Sequence, residues 1–86
     1  MTIIRYEVPA GASTFSLRIF DIDGRLIRRL ATNELTGPTG NIVWDGLDDQ
    51  KRKARIGMYV VLLEIFGTNG EVIGARKGVV VLAGRL

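Results

Sequence analysis

The sequence predicts an all-β domain, an antiparallel β-sandwich of six or seven strands. Short segments rich in β-branched and aromatic residues alternate at period two, as in Thr14–Phe20 and Gly57–Phe66. Turn signals separate these segments at a spacing of roughly 8–12 residues, the spacing of sandwiches and barrels. Glycine recurs throughout and β-branched residues dominate, so no stretch reads as a helix.

Residues 3–8 predict the first strand, closed by Pro9-Ala10-Gly11, since a proline cannot donate to a ladder and suits a strand end. Thr14–Phe20 predicts the second, with Phe15, Leu17 and Ile19 on one face and Ser16 and Arg18 on the other. Asp23-Gly24 signals a hairpin, and residues 25–30 return along it. A two-residue turn pairs Leu17 with Leu30 and Ile19 with Arg28. A three-residue loop with Gly24 left-handed pairs Asp21 with Arg25 and Ile19 with Ile27. The sequence leaves both registers open.

Residues 33–40, NELTGPTG, read as a loop, and residues 41–44 as a short strand ending at Trp44. A polar loop over residues 45–56 follows, near the upper length for a structureless connection. Gly57–Phe66 is the clearest strand. Tyr59, Val61, Leu63 and Ile65 share one face and Val60, Leu62, Glu64 and Phe66 the other, and two largely apolar faces predict a central strand. Asn69-Gly70 predicts a second hairpin turn of type I′, and residues 71–82 return, with Gly74 and Gly78 predicting bulges or close backbone approach.

The 86 residues suffice for one domain, residues 1–86, with a limited core, since a chain of this size buries only about 60% of its unfolded surface. There is no cysteine and no histidine, which excludes disulfides, thiolate zinc sites, cysteine nucleophiles and histidine bases. Twelve basic and nine acidic residues give a net charge of +3, a mild excess that demands no nucleic-acid partner. No apolar run approaches the ~20 residues of a membrane-spanning helix. The start, MTIIRYEVPAG, lacks the basic and long apolar regions of a signal peptide.

Three features invite a functional reading. Asp45, Asp48 and Asp49 are oxygen donors suited to Ca²⁺, but their spacing is not that of an EF-hand loop. The commoner use of such residues is an Asx turn at Asp45-Gly46, with Asp48 and Asp49 bonded to local backbone N–H groups. Lys51, Arg52, Lys53 and Arg55 could meet an anionic surface, but without aromatic partners they read as a solvated loop. Trp44 and Tyr59 could form a ligand platform, whereas a tryptophan within a β run is more often a core residue with its indole N–H bonded to backbone. Ser13, Ser16 and the threonines have no base partner in the sequence, and Arg25 is placed to pair with Asp21.

In order, these residues resemble a known family. Ser16-Leu17-Arg18-Ile19-Phe20-Asp21, Asp23-Gly24-Arg25-Leu26, Val43-Trp44-Asp45-Gly46, Asp48-Asp49 and Gly57-Met58-Tyr59 are similar to the FlgD-type immunoglobulin-like domain. The resemblance runs from Ile4 to Val80. It implies an immunoglobulin-like sandwich without catalytic activity or cofactor, the C-terminal module of a larger secreted or cell-surface bacterial protein. The structural motif residues it marks are Asp21, Gly24, Arg25, Trp44, Asp45, Gly46, Gly57 and Tyr59. Implied partners are proteins or neighbouring domains of the parent chain, including secretion machinery, with no nucleic acid and no membrane span. The Gly24-Arg25 turn and Lys77-Gly78-Val79-Val80 are also similar to the C-terminal sorting domains of type IX secretion. Flagellar hook assembly and carbohydrate or calcium binding are further expectations. Gln50-Lys51-Arg52 departs from the family, which has a glycine shortly after the paired aspartates, as does Ile56, where it often has serine. An unusual path for the loop from Asp49 to Gly57 is therefore expected.

Overall fold

Period-two alternation becomes six strands in the computed structural model of the chain, which describes residues 2–83. They are β1 (Thr2–Glu7), β2 (Thr14–Phe20), β3 (Leu26–Leu35), β4 (Thr39–Trp44), β5 (Gly57–Phe66) and β6 (Val72–Leu82), and no helix occurs among the described residues. All pairing is antiparallel. β1 and β4 form a two-stranded sheet, and the order β3-β2-β5-β6 forms a four-stranded one. β5 is central, as its two apolar faces predict.

The two sheets close on a single cluster. Phe15, Leu17 and Ile19 from β2, Tyr59, Val61, Leu63 and Ile65 from β5, Ala31, Trp44 and Leu82 are all buried. Ile4 and Tyr6 of β1 and Ile42 of β4 pack onto them from the smaller sheet. Tyr6 lies against Phe15 with ring centroids 5.0 Å apart. Gly40, opposite Tyr6 in the β1–β4 ladder, is required there because a Cβ would collide with the Tyr6 ring.

The β2–β3 hairpin contains part of each predicted register. Gly24 has φ +86° and Asp21 pairs with Arg25, so the connection is the three-residue loop. A bulge between Ile19 and Phe20 then moves Ile19 onto Arg28, the pair predicted for the shorter turn. A further shift places Leu17 against Ala31, not the predicted Leu30, and a third brings Phe15 to Glu34. Each shift inserts a residue in β3. The strand therefore runs on through Leu35, and the loop predicted at residues 33–40 contracts to Thr36-Gly37-Pro38. Asn33, at φ +48°, takes one of these irregular positions and donates its N–H to Ser16 Oγ at 3.1 Å.

The turn at Asn69-Gly70 is corrected likewise. Only Gly70 has positive φ (+80°), and the Gly67 N–H donates to the Glu71 carbonyl at 2.9 Å, so this is a three-residue loop and not type I′. The β5–β6 ladder breaks register once, between Ile65 and Phe66, beside Gly74. Gly78 carries no bulge and pairs regularly with Val61.

Candidate functional site

The motif residues gather at one end of the sandwich, where the β2–β3 turn and residues 45–56 lie side by side. Trp44 ends β4 pointing inward and is fully buried. Its Nε1–H donates to the Leu47 carbonyl at 2.9 Å, so the only polar atom of the indole is satisfied by the loop that Trp44 introduces. Tyr59 meets it edge-on with centroids 5.0 Å apart and donates its hydroxyl to the Arg55 carbonyl at 2.5 Å. The pair clamps both ends of the loop to the core and leaves no exposed aromatic platform at this position.

Gly46 has φ +81°, and a Cβ there would approach Leu82 Cδ1 to 3.1 Å, so both backbone and space call for glycine. Asp45 Oδ1 accepts the Leu47 N–H at 3.0 Å, the expected Asx turn. Arg28, from β3, lies 3.5 Å from that oxygen and donates to the carbonyls of Leu47 and Asp48. Gly57, at φ +149°, opens β5.

Asp21 and Asp48 organise two turns of one design. The Asp21 Oδ1 accepts the N–H groups of Asp23 (3.0 Å) and Arg25 (2.9 Å), and Oδ2 accepts Arg25 Nε–H at 2.9 Å. The Asp48 Oδ1 accepts the N–H groups of Gln50 and Arg52, both at 2.9 Å, with Arg52 Nε 3.5 Å from Oδ2. In each turn the backbone closes identically, from the aspartate N–H to the arginine carbonyl and from the fourth residue's N–H back to the aspartate carbonyl. The Arg25 amide holds the Asp21 carboxyl below the ordinary aspartate value and the Arg52 amide does the same for Asp48; withdrawal from water opposes both shifts, and the guanidinium groups reinforce them.

The fourth residue of the second turn is Lys51, at φ +63°, where Gly24 stands in the first. Lys51 therefore takes the left-handed position in this turn that Gly24 takes in the first, with the same backbone bonds around it.

Asp49 does something the sequence did not foreshadow. Its N–H donates to the Ile27 carbonyl at 2.9 Å, and its Oδ1 accepts the Arg29 N–H at 2.8 Å, while Oδ2 pairs with Arg29 Nη1 at 3.1 Å. A single residue thus covers the open edge of β3 as a neighbouring strand would. The backbone it bonds is twenty residues away and not local. Asp45, Asp48 and Asp49 each face a different arginine, and among the described residues no three acidic side chains converge on a common point.

Between the two turns lies an open groove of about 1020 Å³, bordered by Asp21, Asp23, Arg25, Arg29, Asp48, Arg52, Lys53 and Arg55. Its chemistry is alternating fixed charge. Of the basic run, Arg52, Lys53 and Arg55 border this groove; Arg52 is paired with Asp48, the Lys53 backbone forms a β-bridge with Leu47, and the Arg55 carbonyl accepts the Tyr59 hydroxyl.

The outer face of the larger sheet is a second surface, apolar and not charged along one row. Leu26, Phe20, Val60 and Val79 are register partners and form one apolar row across all four strands. Met58 and Val81 adjoin it, and Met58, Val79 and Val81 are each more than half exposed. The next row, Arg29-Arg18-Leu62-Lys77, carries three cations. Arg18 pairs with Glu64 and lies 5.9 Å from the Phe20 ring centre. The sequence shows the apolar alternation of β5 but not this row, because the row depends on the pairing of four strands.

No protein-family model matches the chain, and no curated protein or solved structure is significantly similar to it.

Proposed function

We propose that the chain is a non-catalytic, immunoglobulin-like interaction module of FlgD type, serving to attach a secreted or cell-surface bacterial protein to a protein partner or to a neighbouring domain. The observation that carries this reading is the apolar row from Leu26 to Val79, which crosses a complete sheet face and leaves Met58, Val79 and Val81 in solvent. Contiguous exposed apolar surface bordered by charge is typical of a docking face. The order of motifs, from Asp21-x-x-Gly24-Arg25 through Trp44-Asp45-Gly46 to Gly57-x-Tyr59, supports the family assignment. On that assignment the sheets of two and four strands are the two layers of an immunoglobulin-like sandwich. The carboxylates of the groove support an architectural role, since Asp21, Asp45, Asp48 and Asp49 hold backbone N–H groups and arginines.

Photo-crosslinking tests the reading. A benzophenone residue at Val79 in the full parent protein, produced in its own cells, is expected to give a discrete protein adduct, with none from the same residue at Glu34, exposed on β3 away from the apolar row. Absence of an adduct at Val79, together with hydrolase or transferase turnover by the domain, would overturn the proposal.

A sorting signal of the type IX kind is the second reading. Lys77 and Val79 of the Lys77-Gly78-Val79-Val80 element both lie on the exposed outer face, available to a receptor. Fusion to a periplasmic reporter tests it, and a reporter retained in the periplasm rejects it.

A further inference from the structure

The smaller sheet covers only part of the larger one. β1 pairs with β4 along one edge and has no strand on the other, which faces β6. The two strands touch where Thr2 Oγ1 donates to the Val81 carbonyl at 3.3 Å. Beyond that point a cleft of about 510 Å³ separates them, floored by Leu17, Val61 and Leu63. A strand added about 4.8 Å beyond β1 would run above the inner face of β6.

That inner face suits a guest. Gly74, Arg76 and Gly78 pair with Ile65, Leu63 and Val61, so all three are on the core side of β6. Gly78 has open space where a Cβ would stand. Arg76 is exposed and is in no ion pair among the described residues. Of the other edges, that of β3 is interrupted by three register shifts and covered by Asp49, β6 carries the charges of Arg76 and Lys77, and β4 is unpaired beyond β1 but borders no cleft floored by core residues among those described.

We infer that the cleft between β1 and β6 binds an extended segment of another polypeptide, which adds to the free edge of β1 and places an acidic side chain on Arg76 between two apolar ones above Gly74 and Gly78. Main-chain pairing with β1 supplies the affinity, and the alternating inward side chains supply the specificity. The inference rests on the reading of the chain as an interaction module, and it identifies a second surface, on the core side of the larger sheet, and the chemistry of its partner.

The probe is the heptapeptide Thr-Ile-Thr-Glu-Thr-Ile-Thr, titrated into the isotopically labelled 86-residue chain and followed by amide NMR shifts. The expected result is a saturable change confined to residues 3–7 and 74–80, at least ten-fold weaker when lysine replaces the glutamate. Arg76→Glu should reverse that preference, and Gly78→Leu, whose Cβ has no atom within 4 Å in the free protein, should abolish binding. No saturable shift at millimolar peptide, shifts elsewhere, or a charge preference unchanged by Arg76→Glu would overturn the inference. A Val79 crosslink that persists in Gly78→Leu while the peptide fails to bind wild type rejects the cleft alone; loss of both rejects the module reading as well.

Discussion

Lys51 occupies in the Asp48–Arg52 turn the position that Gly24 occupies in the Asp21–Arg25 turn. Both residues follow an aspartate by three and precede an arginine, and both have positive φ, +63° and +86°. Asp48 and Asp21 hold the two turns with the same set of backbone bonds. The shared geometry makes one position strained and its counterpart relaxed.

Lys51→Gly should therefore stabilise the domain by about 0.5–1 kcal/mol, the relief of left-handed strain less the extra chain entropy of glycine. Gly24→Ala should destabilise it by about 1–2 kcal/mol through strain alone, since nothing lies within 4 Å of the added Cβ. Urea denaturation of the three proteins, with m unchanged, checks both signs.

Acid should weaken the fold through Asp21 and Asp48. Their carboxyls titrate lower in the folded chain than in the unfolded one, where the value is about 3.9. Their contribution is then complete above that pH and disappears as the pH falls through the folded values. The double variant Asp21→Asn, Asp48→Asn should be less stable than wild type at pH 6, and the gap should narrow as the pH falls below the unfolded value. Urea midpoints across that range measure the narrowing.

Trp44→Ala should cost about 3–5 kcal/mol, because it empties a fully buried site and unties the Leu47 carbonyl. Loss of that much from a domain of this size should leave it largely unfolded at 37 °C, as read by circular dichroism. Trp44→Phe retains most of the volume and loses the indole bond, so it should fall between the two. In the wild type, Trp44 emission should be blue-shifted and shielded from iodide.

Gly40→Ala should destabilise by about 1–3 kcal/mol, since its Cβ and the Tyr6 ring claim the same space. In a Tyr6→Ala background the same substitution should cost almost nothing. The coupling in a double-mutant cycle isolates the collision from any general effect of alanine on β4.

The strands were legible wherever apolar residues alternate. Thr14–Phe20 and Gly57–Phe66 have the predicted bounds, and Phe15, Leu17, Ile19, Tyr59, Val61, Leu63 and Ile65 form the predicted inner faces. Side chains two apart in an extended chain necessarily share a face, so this information is local. The same holds for the Asx turn at Asp45 and for Trp44, whose bonding partner lies three residues away. Other features depend on elements remote in sequence. The three shifts that lengthen β3 arise from fitting it to β2, and Asp49 found its partners on a strand edge twenty residues away. The outer apolar row and the cleft beside β1 likewise require four strands and two sheets to be brought together. The sequence by itself determined which residues turn inward and where most turns fall, because backbone geometry links neighbours along the chain. Tertiary structure alone decided register, edge protection and the two open surfaces, because these depend on pairings between segments whose local patterns do not specify one another.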